Sequence, residues 1–133
     1  MSYQAQYERW LHSPALSQPE KDELAALSHN AGEIEDRFFS LLQFGTAGLR
    51  GVMGVGLRRM NVHVIRHATQ AFANVILAEG KAFAAQGVAI CYDCRVHSQE
   101  FARAAAEVMA GNGIPVRLFE AMRPTPELSF AVR

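Results

Sequence analysis

Two cysteines in 133 residues cannot build a disulfide framework, so stability must come from an apolar core, and an oxidising compartment is not required. Neither charge sign is in excess: 13 basic residues balance 13 acidic ones. A general nucleic-acid partner or an acidic membrane surface is therefore not expected, and any attraction for anions must be local. No run approaches the roughly 18 apolar residues of a membrane span. MSYQAQYERWLH at the N-terminus has no signal-peptide apolar segment, so cytoplasm is the expected compartment. Repeats and low-complexity tracts are also missing. The length suits a single core that buries about two thirds of the unfolded surface.

Glycine is the residue present out of proportion. The segment FGTAGLRGVMGVG, Phe44 to Gly56, holds five glycines and one arginine. Such a cluster sacrifices packing and chain entropy, and it reads either as a bulged strand with tight turns or as a backbone cradle for an anion. Stock phosphate motifs do not fit. No GK[ST] follows, and a GxGxxG register from Gly54 and Gly56 would need glycine where Arg59 stands.

The first forty residues read as helical. Tyr3, Tyr7, Trp10 and Leu11 recur at helical spacing before Pro14. Ser17 and Glu20 form a capping-box pair with Pro19 in the first turn, and Asn30 with Glu33 suggests a third helix start. In that helix Ile34, Phe38, Leu41 and Leu42 fall on one face, which leaves Glu35, Asp36 and Arg37 solvated. Asn61 should cap a helix ending near Gly80, with Ile65, Ala68, Thr69, Phe72 and Ile76 as its core stripe. The apolar run Val88 to Tyr92 predicts a strand buried on both faces. Ser98 should cap a helix with Phe101, Ala104, Ala105 and Val108 inward, stopped by Gly111 and Gly113. Val116 to Phe119 predicts another strand, and Arg123 to Thr125 a proline-flanked loop. The alternation of strands and helices predicts an α/β domain with helices over a sheet.

Arg95 then lies just beyond one strand and Arg123 just beyond another. In a parallel sheet both reach the carboxyl edge, where ligands of such sheets bind. Guanidinium groups suit phosphate there, because each offers paired donors and a permanent charge. Asp93 either orients Arg95 or simply closes a turn. A zinc alternative, from His63 and His67 with Cys91 and Cys94, fails on geometry. The two histidines fall opposite the core stripe, toward water, and cysteines three apart on a strand face opposite sides. No metal site is expected. His97 and Trp10 read as a surface residue and a packing residue.

Three blocks, FGTAGLRG, VAICYDCR and RPTPELSFAVR, in this order and spacing, resemble the first domain of the phosphoglucomutase and phosphomannomutase superfamily, closest to its phosphoglucomutase/phosphopentomutase branch. Arg58 and Cys94 depart from the residues common at their positions. The resemblance implies a three-layer α/β/α domain with a small mixed, mostly parallel sheet over 44–133, incomplete at its C-terminal end, preceded by a helical segment over 1–43. It implies phosphate-binding roles for Thr46, Arg50, Arg95 and Arg123, with Thr125 as loop architecture. Family members interconvert sugar 1- and 6-phosphates, or pentose 5-phosphates, through a phosphoserine and with magnesium. Their serine loop, of the type TASHNP, follows the position of Arg133, and their magnesium-binding aspartates and sugar-reading groups belong to later domains. The expectation is thus a domain of an isomerase that has no catalytic residue of its own and is inactive alone. Its expected partners are a sugar phosphate and the remaining mutase domains. The alternatives are an assembly module that associates through an open sheet edge, or a weak phosphate-binding module.

Overall fold

A computed structural model describes residues 2–45 and 48–119. The chain is an α/β protein of two compact units, which divide between Val64 and Ile65. Among the described residues it has six helices, an antiparallel strand pair and a parallel strand pair.

The first unit opens with α1 (Tyr3–Leu11), α2 (Gln18–Ala25) and α3 (Ala31–Phe38). Each start is written in local cap chemistry. Ser2 accepts the Ala5 N–H, Ser17 and Glu20 complete a capping box, and Asn30 accepts the Glu33 N–H. Tyr7, Leu16, Leu24, Ile34, Phe38 and Val55 form the core of this unit. Burying each large apolar side chain contributes about 1.5–3 kcal/mol. The Tyr7 hydroxyl donates to the Leu24 carbonyl at 2.8 Å, so its polar end is satisfied inside.

Two expectations for α3 fail. The helix stops at Phe38, so Leu41 and Leu42 leave its apolar face and Leu41 is exposed. Arg37 is not solvated: its side chain is only 14% exposed and is held between Glu23 and Glu33. Periodicity assigns a face to a residue and is blind to a carboxylate fourteen positions away that can pull an arginine inward.

After α3 come β1 (Phe44–Gly45) and β2 (Gly48–Leu49), paired antiparallel with Phe44 opposite Leu49. The glycine segment then closes on itself. Met60 N–H donates to the Val52 carbonyl at 2.8 Å and Gly54 N–H to the Met60 carbonyl at 3.2 Å. Asn61 has two duties. Its Oδ1 accepts the Val64 N–H and caps α4 (Val62–Ala78), while its amide nitrogen donates to the Gly54 and Gly56 carbonyls, each at 2.9 Å.

In the second unit Ala73 and Ile76 of α4 join Ala84, Met109 and Ile114 in a separate core. Phe72, expected in the stripe, is 57% exposed. The buried side of the helix here is set by Ala73 and Ile76, with Ala73 fully buried next to the exposed Phe72. A short α5 (Lys81–Ala84) precedes β3 (Val88–Ile90), which pairs in parallel with β4 (Val116–Leu118), Val88 opposite Val116. β3 is half-buried along its length and not buried on both faces, since β4 is its one strand neighbour among the described residues. Gly87 makes the pairing possible: at φ 79°, a Cβ here would sit 2.6 Å from the Pro115 carbonyl oxygen.

Between the two strands runs α6 (Ser98–Gly111), with Ala102, Ala104 and Met109 buried and Glu100, Arg103 and Glu107 exposed. Phe101, Ala105 and Val108 are half-buried, so the inward face is rotated slightly from the expected one. Ser98 is the first helical residue and not the cap. The cap position belongs to His97, whose own side chain makes no capping bond. No helix among the described residues is long and apolar enough to cross a membrane.

Candidate functional site

β3 and β4 run in the same direction, so their carboxyl ends share one edge. An open pocket of about 980 Å³ lies there, lined by Tyr92, Asp93, Arg95 and His97 on one side and by Leu118 and Phe119 at the end of β4. The sequence places the site at this edge because β3 is a short apolar run that ends just before polar residues.

Asp93 organises the turn. Its Oδ1 accepts the Arg95 backbone N–H at 3.0 Å, and its Oδ2 accepts the Arg95 Nε at 2.8 Å. The two readings of Asp93, turn former and guanidinium orienter, are both realised by one carboxylate. Its own N–H donates to the Ser98 hydroxyl at 3.2 Å, which ties the start of α6 back to the turn. The Arg95 backbone N–H first, then the guanidinium and the Ser98 hydroxyl, hold the Asp93 carboxyl below the usual carboxylate range. Arg95 is 84% exposed and bound to Asp93 through Nε, which leaves its Nη edge open.

Sequence reasoning missed two further residues of this pocket. His97 is the one non-glycine residue at positive φ, 66°, among the described residues. Left-handed backbone at a non-glycine residue costs about 1 kcal/mol or more and concentrates at functional sites. Its Nδ1 stands 3.3 Å from Glu100. Arg103 lines the same pocket from further along α6. Nothing in the pattern YDCRVHS announces a left-handed histidine, and Arg103 carries the same signal as any solvated helical arginine.

Of the other predicted residues, Arg50 is exposed and immediately follows β2 in the first unit. Thr46 and Arg123, together with Thr125, lie outside the described residues. The expectation that His63 faces water is overturned. Its side chain is 17% exposed, its Nε2 lies 2.7 Å from Glu20 Oε2, and its ring meets Trp10 edge-on at 5.8 Å. Helical angle placed it opposite one stripe, but α2 supplies a carboxylate on that side. Trp10 packs against Phe38 and His63. Cys91 is half-buried, Cys94 exposed, and both are free thiols. Among the described residues no three His, Cys, Asp or Glu side chains gather where they could hold a metal ion.

The glycine segment is anchored by charge. Glu23 Oε2 accepts the Val55 N–H at 2.8 Å and an Arg37 Nη at 2.6 Å. Arg37 also binds Glu33 at 2.9 Å, and the buried Arg59 reaches Glu33 at 3.3 Å and Asp36 at 2.6 Å. Burial pushes the Glu23 carboxyl up, but the Val55 amide and Arg37 outweigh it and hold it below the usual range. Arg37 lowers Glu33 and Arg59 lowers Asp36. A carboxyl lowered in the folded state stabilises fully above its unfolded value and loses that contribution as pH falls through the folded one. The urea midpoint of the first unit, read by Trp10 emission, is therefore expected to drop steadily from about pH 6 to about pH 3. A flat midpoint over that interval would contradict this network.

Comparison with known proteins bears on the whole chain. The family described as phosphoglucomutase/phosphomannomutase, alpha/beta/alpha domain I, matches residues 41–133. Phosphopentomutase of Mus musculus is 37% identical over 134 residues, covering 96% of this chain and 21% of the relative. The Homo sapiens phosphopentomutase is 36% identical over 134 residues, with 96% and 22% covered. A phosphoglucomutase of Staphylococcus epidermidis is 39% identical over 101 residues, with 76% and 18% covered. The chain thus spans about a fifth of the length of these curated relatives. No solved structure matches it.

Proposed function

This chain belongs to the phosphoglucomutase/phosphomannomutase family through its α/β/α domain I, and on that premise we propose that it forms the phosphate-facing wall of a cytoplasmic phosphosugar mutase, an isomerase acting on hexose or pentose phosphates. The observation that carries the proposal is Arg95, held by Asp93 at the carboxyl end of a parallel strand pair and facing an open pocket. Phosphoryl transfer asks a protein chiefly for positioning and for charge neutralisation around the transferring group. An arginine fixed through Nε meets both needs, because its remaining fork can bind two phosphate oxygens without first paying to be oriented. Arg50, Thr46 and Arg123 are assigned to the same task on the strength of the motif they share with the family, and residues 1–43 form a helical extension of the domain.

When bound in a full-length enzyme of this family, magnesium would supply charge neutralisation at the transferring phosphoryl group. The described residues of this chain do not fit a metal site, so that contribution is assigned to other parts of a complete enzyme. The sequence likewise contains no serine loop of the TASHNP type. The 133-residue polypeptide by itself is therefore expected to give no turnover of glucose 1-phosphate in a coupled assay supplied with the sugar bisphosphate and magnesium. Turnover above the buffer background would overturn this assignment of the nucleophile to another segment.

A further inference from the structure

We propose that Glu23 and Arg37 are positioning residues for the glycine segment, through which the N-terminal helices set the backbone that carries Arg50. The proposal deepens the reading of Arg50 as a phosphate ligand and rests on it. Both residues stand on α2 and α3, outside the residues 41–133 that define the family domain.

The contacts form a continuous path. Glu23 Oε2 takes both the Val55 N–H, at 2.8 Å, and the Arg37 guanidinium, at 2.6 Å. That same guanidinium donates to the Val55 carbonyl at 3.1 Å, so the two side chains grip one peptide unit on either side of Val55. The Arg37 backbone carbonyl accepts the Arg58 N–H at 2.8 Å, which fixes a second point of the segment. Between these points lies Gly56, at φ 136°, where a Cβ would stand 3.0 Å from Arg37 Cβ and 3.1 Å from its carbonyl oxygen. Only a residue without a side chain lets α3 approach so closely.

The held loop then reaches back toward Arg50. Met60 N–H donates to the Val52 carbonyl, two residues beyond Arg50, and Leu42 N–H donates to the Leu57 carbonyl at 3.2 Å. Leu42 also packs where Gly51 has no side chain, with its methyl carbons 2.8 Å from the position a Cβ would take. Arg37 is half-buried, and its one guanidinium serves Glu23, Glu33 and the Val55 carbonyl together. Removing the Glu23 carboxylate takes away at once the shared acceptor of the Arg37 guanidinium and of the Val55 N–H, which loosens both holds on the loop.

The test compares the 133-residue chain with its Glu23→Gln variant by amide hydrogen exchange and by titration with orthophosphate followed at the Arg50 and Arg95 amides. Gly54 and Met60 are the exchange reporters, because neither bonds to Glu23 directly. In Glu23→Gln their exchange is expected to accelerate about tenfold through local opening, and the Arg50 response to move to several-fold higher phosphate. The Arg95 response, in the second unit, should stay within about twofold of the original, which separates a positioning role from general destabilisation. Unchanged exchange at Gly54 and Met60, or an equal loss at Arg50 and Arg95, would overturn the proposal. Should Glu23→Gln fail to fold, Arg37→Lys decides the matter. One ammonium keeps the charge but gathers its donors on a single nitrogen, whereas Arg37 reaches Glu33 through Nε and Glu23 and the Val55 carbonyl through a separate Nη, so the same reporters should accelerate. If orthophosphate leaves Arg50 unmoved in the original chain, the ligand role of Arg50 fails, while the exchange measurement still decides whether Glu23 holds the loop.

Discussion

Phe38→Ala is expected to lower the unfolding free energy of the first unit by about 4 kcal/mol. Phe38 is 1% exposed and sits where α1 and α3 meet, with Tyr7 edge-on at 5.8 Å and Trp10 edge-on at 5.6 Å. Truncation removes the transfer free energy of the ring and opens a cavity among rigid aromatic neighbours that cannot collapse to fill it. The two edge-to-face contacts add about 0.5–1.5 kcal/mol each to what is lost. Trp10 is the sole tryptophan of the chain, so its emission reports this unit selectively in a urea titration. Phe38→Leu, which keeps much of the volume, should cost only about 1–1.5 kcal/mol. A loss below about 1 kcal/mol for Phe38→Ala would mean that the three N-terminal helices do not share the core described here.

That core supports the glycine segment. α3 owes its position to Phe38 and Ile34 on one face, and from the rest of its surface it presents Arg37 to the glycine segment and Asp36 to Arg59 just beyond it. Packing, charge and the geometry of the glycine-segment backbone are thus linked in one unit.

How legible this was in the sequence depended on distance along the chain. The starts of α2, α3 and α4 could be read because Ser17, Asn30 and Asn61 each act on an amide three residues away. Strand positions and their polar ends were readable for the same local reason, and so was Arg95 with its neighbour Asp93. What failed involved partners far apart. Arg37 looks like a solvated arginine until Glu23 is brought to it across 14 residues. His63 looks like a surface histidine until Glu20 meets it from α2 across 43 residues. Phe72 and Ala73 exchange roles because the helix neighbours, and not its own periodicity, choose the buried side. The left-handed His97 has no compositional signal, since the turn closed by Asp93 and Ser98 imposes it.

Phosphate binding at this edge depends most directly on Arg95. A charge-assisted hydrogen bond contributes about 1.5–3 kcal/mol, which corresponds to a factor of about ten or more in affinity. Amide spectra of the chain titrated with orthophosphate, and in parallel with glucose 1-phosphate, are expected to move Arg95, His97 and Ser98 along a single saturable curve. In Arg95→Met the dissociation constant should rise about tenfold or more, with helix content unchanged, because the side chain is exposed and supports no core. Asymptotic saturation that survives in Arg95→Met at the original concentration, or the absence of any saturable shift at these three amides, would contradict a phosphate site at the carboxyl edge of β3 and β4.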